Sequence, residues 1–148
     1  MHTMTTPDQR SAAPTETTQR RQGRALVVIA AVAAAVAVWL VARLAGADLT
    51  VRQGSDGGAA NVGLIMVTTM SGLMGLVGWG LLAVLERWTP RSRTLWTYLA
   101  LAVLVISLVG PLGAGTTAGT KLALVGAHLA TAAVLVPGLR RTVRQART

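Results

Sequence analysis

Residues 62–85 read VGLIMVTTMSGLMGLVGWGLLAVL and carry no charge. About 20 apolar residues at 1.5 Å each cross the 30 Å hydrocarbon core of a bilayer, and this run is longer than that. It predicts a transmembrane helix.

Working outward, three further apolar runs of similar reach appear. They cover residues 25–44, interrupted late by Arg43; residues 95–112, with Gly110-Pro111 at the far end; and residues 122–139, where Pro137-Gly138 is expected to kink or end the helix. Apolar residues make up 52% of the 148-residue chain and charged residues 13%, against about 25% charged in ordinary soluble domains. That deficit suits a chain facing lipid. The connections are a Gly-rich loop around Gly54-Ser55-Asp56-Gly57-Gly58, a short basic loop, and a Gly/Thr loop over residues 113–120. Short connections imply antiparallel neighbours. The expected fold is all-α, an integral membrane up-down four-helix bundle over residues 24–141. Residues 1–23 are rich in Thr, Gln, Pro and Arg and read as a disordered cytoplasmic tail. Residues 142–148 read as a second, basic cytoplasmic tail.

Charge sets the orientation. Arg10, Arg20, Arg21 and Arg24 precede the first run, Arg87, Arg91 and Arg93 follow the second, and Arg140, Arg141, Arg144 and Arg147 follow the fourth. Four passes put all eleven on one side, leaving Arg43, Arg52 and Lys121 on the other. Cytoplasmic flanks collect Arg and Lys, so both termini are expected in the cytoplasm. Trp88, Trp96 and Tyr98 at that boundary, and Trp39 near the opposite one, read as interfacial anchors.

The formal net charge of +9 also raises nucleic-acid binding. Such a binder spreads basic groups over a folded polar surface with aromatics among them, whereas here they flank apolar runs, and no nucleic-acid partner is expected. Absence of cysteine removes disulfides, thiol nucleophiles and thiolate metal sites. Arg20, Arg21 and Arg24 before an apolar stretch ending in Ala45-Gly46-Ala47 resemble a signal peptide. The stretch exceeds the 7–15 residues of a signal core, and Arg43 crowds the cut, so a retained first helix is expected. Arg20-Arg21 as a twin-arginine export signal is a weaker reading still.

Few side chains could carry chemistry. His128 lies inside the fourth run, towards its outer half, and an ionisable residue at such depth is a functional-site hypothesis. Thr68, Thr69, Ser71, Ser107 and Thr131 are the hydroxyls at similar depth. A proton relay, ligand contact or metal site would use the imidazole. The plainer reading is a neutral His bonded to a neighbouring helix, worth about 0.6 kcal/mol. No acid accompanies it, and a lone imidazole supplies one ligand where zinc wants three or four, so no metal is expected.

On the second helix, Thr68, Ser71, Gly72, Gly75 and Gly78 share one side at 100° per residue. Small residues let backbones approach, so this side is expected to pack on another helix, in the same chain or a second copy. Met66, Met70 and Met74 occupy the other side as core filler or lipid-facing surface, with an adaptable binding surface the sharper alternative. Glu86 closes this helix with Arg24, Arg140 and Arg141 in reach, and an interfacial ion pair of Glu86 with Arg140 and Arg141, worth about 1 kcal/mol, is expected to fix helix ends. Asp48 and Arg52 are four apart, suited to a local pair if helical, and Asp56 reads as a turn residue. Phosphate-loop, dinucleotide and zinc-protease spacings are absent. Nothing positions Ser107, His128 and Asp48 as a triad. The expectation is a protein without catalytic activity or cofactor.

Several stretches look familiar as a set: Ala45-Gly46-Ala47-Asp48-Leu49, Gly75-Leu76-Val77-Gly78-Trp79, Leu85-Glu86-Arg87, Ser107-Leu108-Val109-Gly110-Pro111, and His128 followed by Val136-Pro137-Gly138-Leu139-Arg140. Over residues 25–141 the chain resembles an uncharacterised family of four-helix membrane proteins from actinobacteria, a domain of unknown function. The resemblance implies a membrane location and a bacterial host, in keeping with the Arg-, Ala- and Gly-rich composition, and supplies no activity. The leading expectation is a structural or accessory component of the bacterial cell membrane. Its partners would be the lipid bilayer and a second copy or another membrane protein. The alternative is a small oligomeric transporter or channel lined by His128 and the nearby hydroxyls.

Overall fold

The computed structural model describes residues 16–53, 58–114 and 117–143. Five helices and a β-hairpin run in the order α1 (Glu16–Leu44), β1 (Thr50–Gln53), β2 (Gly58–Asn61), α2 (Leu64–Trp88), α3 (Ser92–Ser107), α4 (Val109–Ala114) and α5 (Ala118–Arg141). The expected tail at residues 1–15, the Asp56 turn and the segment 144–148 lie outside the described residues.

Four units, α1, α2, α3 with α4, and α5, are each long and apolar enough to cross a membrane. They alternate in direction. The start of α1 meets the ends of α2 and α5, and the start of α3 meets the same two ends, so the termini of the bundle and the α2–α3 loop share one end. The β-hairpin, α4 and the start of α5 form the other. Helix α1 packs against α2 and α5, and α3 packs against the same two helices from the opposite side.

The α1 seam follows from its sequence. Arg24, Val28, Ala31 and Ala35 are buried, spaced by four, three and four residues, the period of a helix seam. Alanine at its centre brings the α1 axis close to its neighbours. Two glycines complete the fit. A Cβ on Gly75 would stand 2.8 Å from Val28 Cγ1, and one on Gly138 only 2.6 Å from Val27 Cγ1. Val27 and Val28 thus plug into α5 and α2 respectively. Large apolar side chains point outward instead, Ile65 84% and Leu122 74% exposed. Such a surface would aggregate in water and suits hydrocarbon.

Several boundaries depart from the sequence expectation. Residues 16–23 are helical rather than disordered: Glu16 sits in the first turn, where an acid suits the helix dipole, and a buried stem has already met the nucleation cost. The Gly-rich loop contributes an antiparallel hairpin, pairing Thr50 with Asn61 and Val51 with Ala60. Alternation explains it, since Leu49 and Val51 are buried and Arg52 is exposed. Leu49, Val51 and Val62 form a small core under Trp39, Val67 and Leu124. Helix α1 ends in a Schellman cap with Gly46 at φ 78°, Ala47 N–H donating to Ala42 O and Gly46 N–H to Arg43 O.

The third run is broken at Leu108 rather than continuous. Pro111 has no N–H to offer the Ser107 carbonyl, and the break places it in the first turn of α4, where that loss is harmless. Pro137, by contrast, does not end its helix: α5 continues through it to Arg141. At its start, Thr117 caps α5 by accepting from the Thr120 N–H at 3.1 Å.

Candidate functional site

A groove of about 480 Å³ runs between α2 and α3 with α5 as its floor. Four of its lining residues carry a hydroxyl or an imidazole: Ser71 from α2, Ser107 from α3, and His128 and Thr131 from α5. Thr68 and Thr69 are exposed and lie outside it. Of six intramembrane polar residues singled out by sequence, the fold thus brings four to one groove. Met66, Met70 and Met74 line its α2 wall while staying partly exposed at the mouth.

His128 is half-buried, and its Nδ1 lies 2.8 Å from the Leu124 carbonyl one turn back. A carbonyl only accepts, so Nδ1 carries the proton. The expected partner on a neighbouring helix is replaced by α5's own backbone, because a ring at position i reaches the i−4 carbonyl without crossing the groove. The ring's other nitrogen, Nε2, has no partner within α5. The Ser107 hydroxyl donates to Leu104 O at 2.8 Å and has only acceptor capacity left. Among the described residues, Ser71 and Thr131 make no side-chain hydrogen bond.

The groove is closed at one end by Trp96. Its ring is 2% exposed, packed with Leu82 and Leu139, and its Nε1–H points to Val136 O at 3.4 Å. An interfacial position for Trp96 is therefore corrected: it is core, whereas Trp88 and Tyr98 are exposed. Gly78 makes room for it, since a Cβ there would stand 3.2 Å from the indole. The small-residue side of α2 is occupied within the chain. Gly72 and Gly75 face Val32 and Val28 of α1, and Gly78 faces α3 and α5.

At the termini end, Arg24 is 5% exposed and ties three helices together. One Nη2 lies 2.6 Å from Glu86 Oε1, and Nε–H donates to Thr142 Oγ1 at 3.1 Å. The Thr142 hydroxyl donates in turn to Leu139 O at 2.7 Å. Glu86 is thus paired with Arg24 and not with Arg140 or Arg141, which are exposed. The reason is position: Arg24 lies on the buried seam of α1, facing the ends of α2 and α5.

A second lock stands at the hairpin end. The Thr120 hydroxyl is fully buried and donates to the Asp48 carbonyl. With that proton spent, the 2.9 Å contact between Thr117 and Thr120 must be a donation from Thr117. Trp39 donates from Nε1 to Val62 O at 2.8 Å, with the Arg43 guanidinium 5.8 Å from its ring centroid. Asp48 itself is exposed, its contribution coming from the backbone.

Sequence reasoning missed Trp96, Thr120 and Gly138 as structural keys. The seam spacing of Arg24 with Val28, Ala31 and Ala35 would have marked that arginine as inward-facing. No local pattern marks Thr120, whose partner is 72 residues away.

These features define the class: a four-helix protein with four spans fit to cross a membrane, an outward apolar surface, and one groove between α2, α3 and α5. Within that class the chain belongs to a family of unknown function, DUF6069, whose model matches residues 15–145. No curated protein and no solved structure matches the chain.

Proposed function

We propose that the protein is a multi-pass component of the bacterial cell membrane, with both termini cytoplasmic, serving as a structural or accessory subunit without catalysis. The observation that carries this reading is the distribution of polar contacts. An ion pair and hydroxyl relays lie at the two ends of the bundle, around Arg24–Glu86–Thr142 and Asp48–Thr117–Thr120, where they fix helix ends. The seam between them is valine, alanine and glycine. A packed, apolar seam favours a rigid scaffold over a pathway through the chain. The Arg asymmetry favours the same orientation. The actinobacterial source stays with the resemblance and the Arg- and Ala-rich composition.

A second reading is favoured by the groove. An oligomer that set several grooves face to face would line a path with His128, Ser71, Ser107 and Thr131, the transporter or channel alternative. Purified protein in proteoliposomes separates the two. The accessory reading expects no proton or cation flux above empty vesicles, and none lost on His128→Ala. Flux that disappears in His128→Ala with the fold intact would move the assignment to transport.

A further inference from the structure

We propose that the first turn of α3 binds the phosphate of an anionic phospholipid, held by open N–H groups, Ser92 and the guanidiniums of Arg87, Arg91 and Arg93. The proposal rests on the membrane placement given above and goes beyond it by naming a ligand class and its site.

The main-chain donors follow from the local sequence. The Thr89 hydroxyl accepts from the Arg91 N–H at 3.2 Å, so it is spent before it can cap α3. Arg91 stands at the N-cap without a side-chain acceptor, and the first turn holds no acid. The Thr94 and Leu95 N–H groups donate to the Arg91 carbonyl. Those of Ser92 and Arg93 make no hydrogen bond among the described residues and point out of the helix start.

Ser92 is the independent sign of a ligand. It is 5% exposed, and its hydroxyl makes no hydrogen bond among the described residues. The oxygen itself is not sealed from the surface. Cα–Cβ bonds in a helix tilt towards its N-terminus, so this side chain leans to the same opening as the free N–H groups.

Charge and depth select the occupant. Arg87, Arg91 and Arg93 are exposed, and their guanidiniums form no ion pair among the described residues. Glu86, the acid next to them in the chain, is already held by Arg24. Guanidiniums grip phosphate oxygens two at a time, and a helix start favours an anion. The third span begins at Ser92, which sets this turn at the level of the lipid headgroups, beside the exposed Trp88. A phospholipid carries its phosphate at that level. An ammonium on the headgroup would sit among like charges, so an anionic lipid is preferred to a zwitterionic one.

The test uses the full chain extracted in detergent, with phosphatidylglycerol or phosphatidylcholine of identical chains added and bound lipid counted by native mass spectrometry. Phosphatidylglycerol should be retained about tenfold more tightly. Arg91→Gln with Arg93→Gln should remove the preference and leave helicity unchanged. Arg20→Gln with Arg21→Gln takes the same charge from the same end of the bundle and should leave the preference in place. The backbone amide signals of Ser92 and Arg93 should shift when phosphatidylglycerol is added. Equal loss in the two double variants would make the effect a diffuse field and overturn the proposal, as would amides that do not move. Inorganic phosphate that moves those amides as far as the lipid does, at equal concentration, would give the site to a soluble phosphate and overturn the lipid source. The membrane reading fails separately, by recovery of the protein in the soluble fraction before any lipid is added.

Discussion

Arg24 Nη2 and Glu86 Oε1 lie 2.6 Å apart, with their side chains 6% and 17% exposed. That contact joins residues from the first and second spans, and the Nε hydrogen bond to Thr142 brings in the last. Arg24 also sits at the C-terminal end of α5, where unpaired carbonyls favour a cation.

Removing one partner strands the other in a largely dry site. Arg24→Gln and Glu86→Gln should each destabilise the bundle by about 3 kcal/mol, the lower end for breaking a buried pair. The double variant should cost clearly less than the sum of the two. Denaturation in mixed micelles measures it, and strict additivity would show that the two charges do not couple.

Gly138 gives a second prediction. Gly138→Ala places a methyl 2.6 Å from Val27 Cγ1, and overpacking of about 2 kcal/mol should outweigh the helix-propensity gain of about 1 kcal/mol. Adding Val27→Ala should recover most of the loss. Gly80 is the control: a Cβ there meets nothing within 4 Å, and Gly80→Ala should be neutral or stabilising. Thermal unfolding in detergent reads all three.

The four tryptophans are not equivalent. Trp96→Ala opens a cavity beside Leu82 and Leu139 and should cost about 3–5 kcal/mol. Trp88 is 84% exposed, and Trp88→Ala should change stability by under about 0.5 kcal/mol. Comparable losses in the two variants would contradict the buried placement of Trp96.

Thr120 tests the lock at the hairpin end. Thr120→Val keeps the shape and removes both hydroxyl contacts, leaving the Asp48 carbonyl with the Thr50 N–H alone. A loss of about 1–2 kcal/mol is expected. Thr120→Ser should restore most of it. Faster backbone exchange at Asp48 to Thr50 in the valine variant would locate the effect.

The spans were legible because a long uncharged run such as residues 62–85 has one economical fate in a bilayer. Helix ends were less so. Residues 16–23 gained helix from their buried continuation, and Pro137 did not end α5, because contacts to α1 and α3 hold both sides of it. The hairpin was hidden by its short alternation, two strands of four residues around a glycine cluster. At the candidate site, the groove-lining residues His128, Ser71, Ser107 and Thr131 had been singled out from depth alone. Depth could not separate Thr68 and Thr69, because that depends on which face of α2 meets α3. Trp96 was misplaced for a related reason: a boundary tryptophan looks the same in sequence whether it faces lipid headgroups or a glycine on the next helix.

Membrane placement with both termini inside is the central claim, and the chain's lack of cysteine makes it directly measurable. Single cysteines at Arg52 and Arg87, exposed at opposite ends of the bundle, are challenged with a membrane-impermeant maleimide in intact cells expressing the protein. The account predicts that Arg52→Cys is labelled in intact cells and Arg87→Cys only after permeabilisation. Labelling of Arg87→Cys in intact cells with Arg52→Cys protected would invert the topology, and recovery of the protein in the soluble fraction would contradict the account altogether.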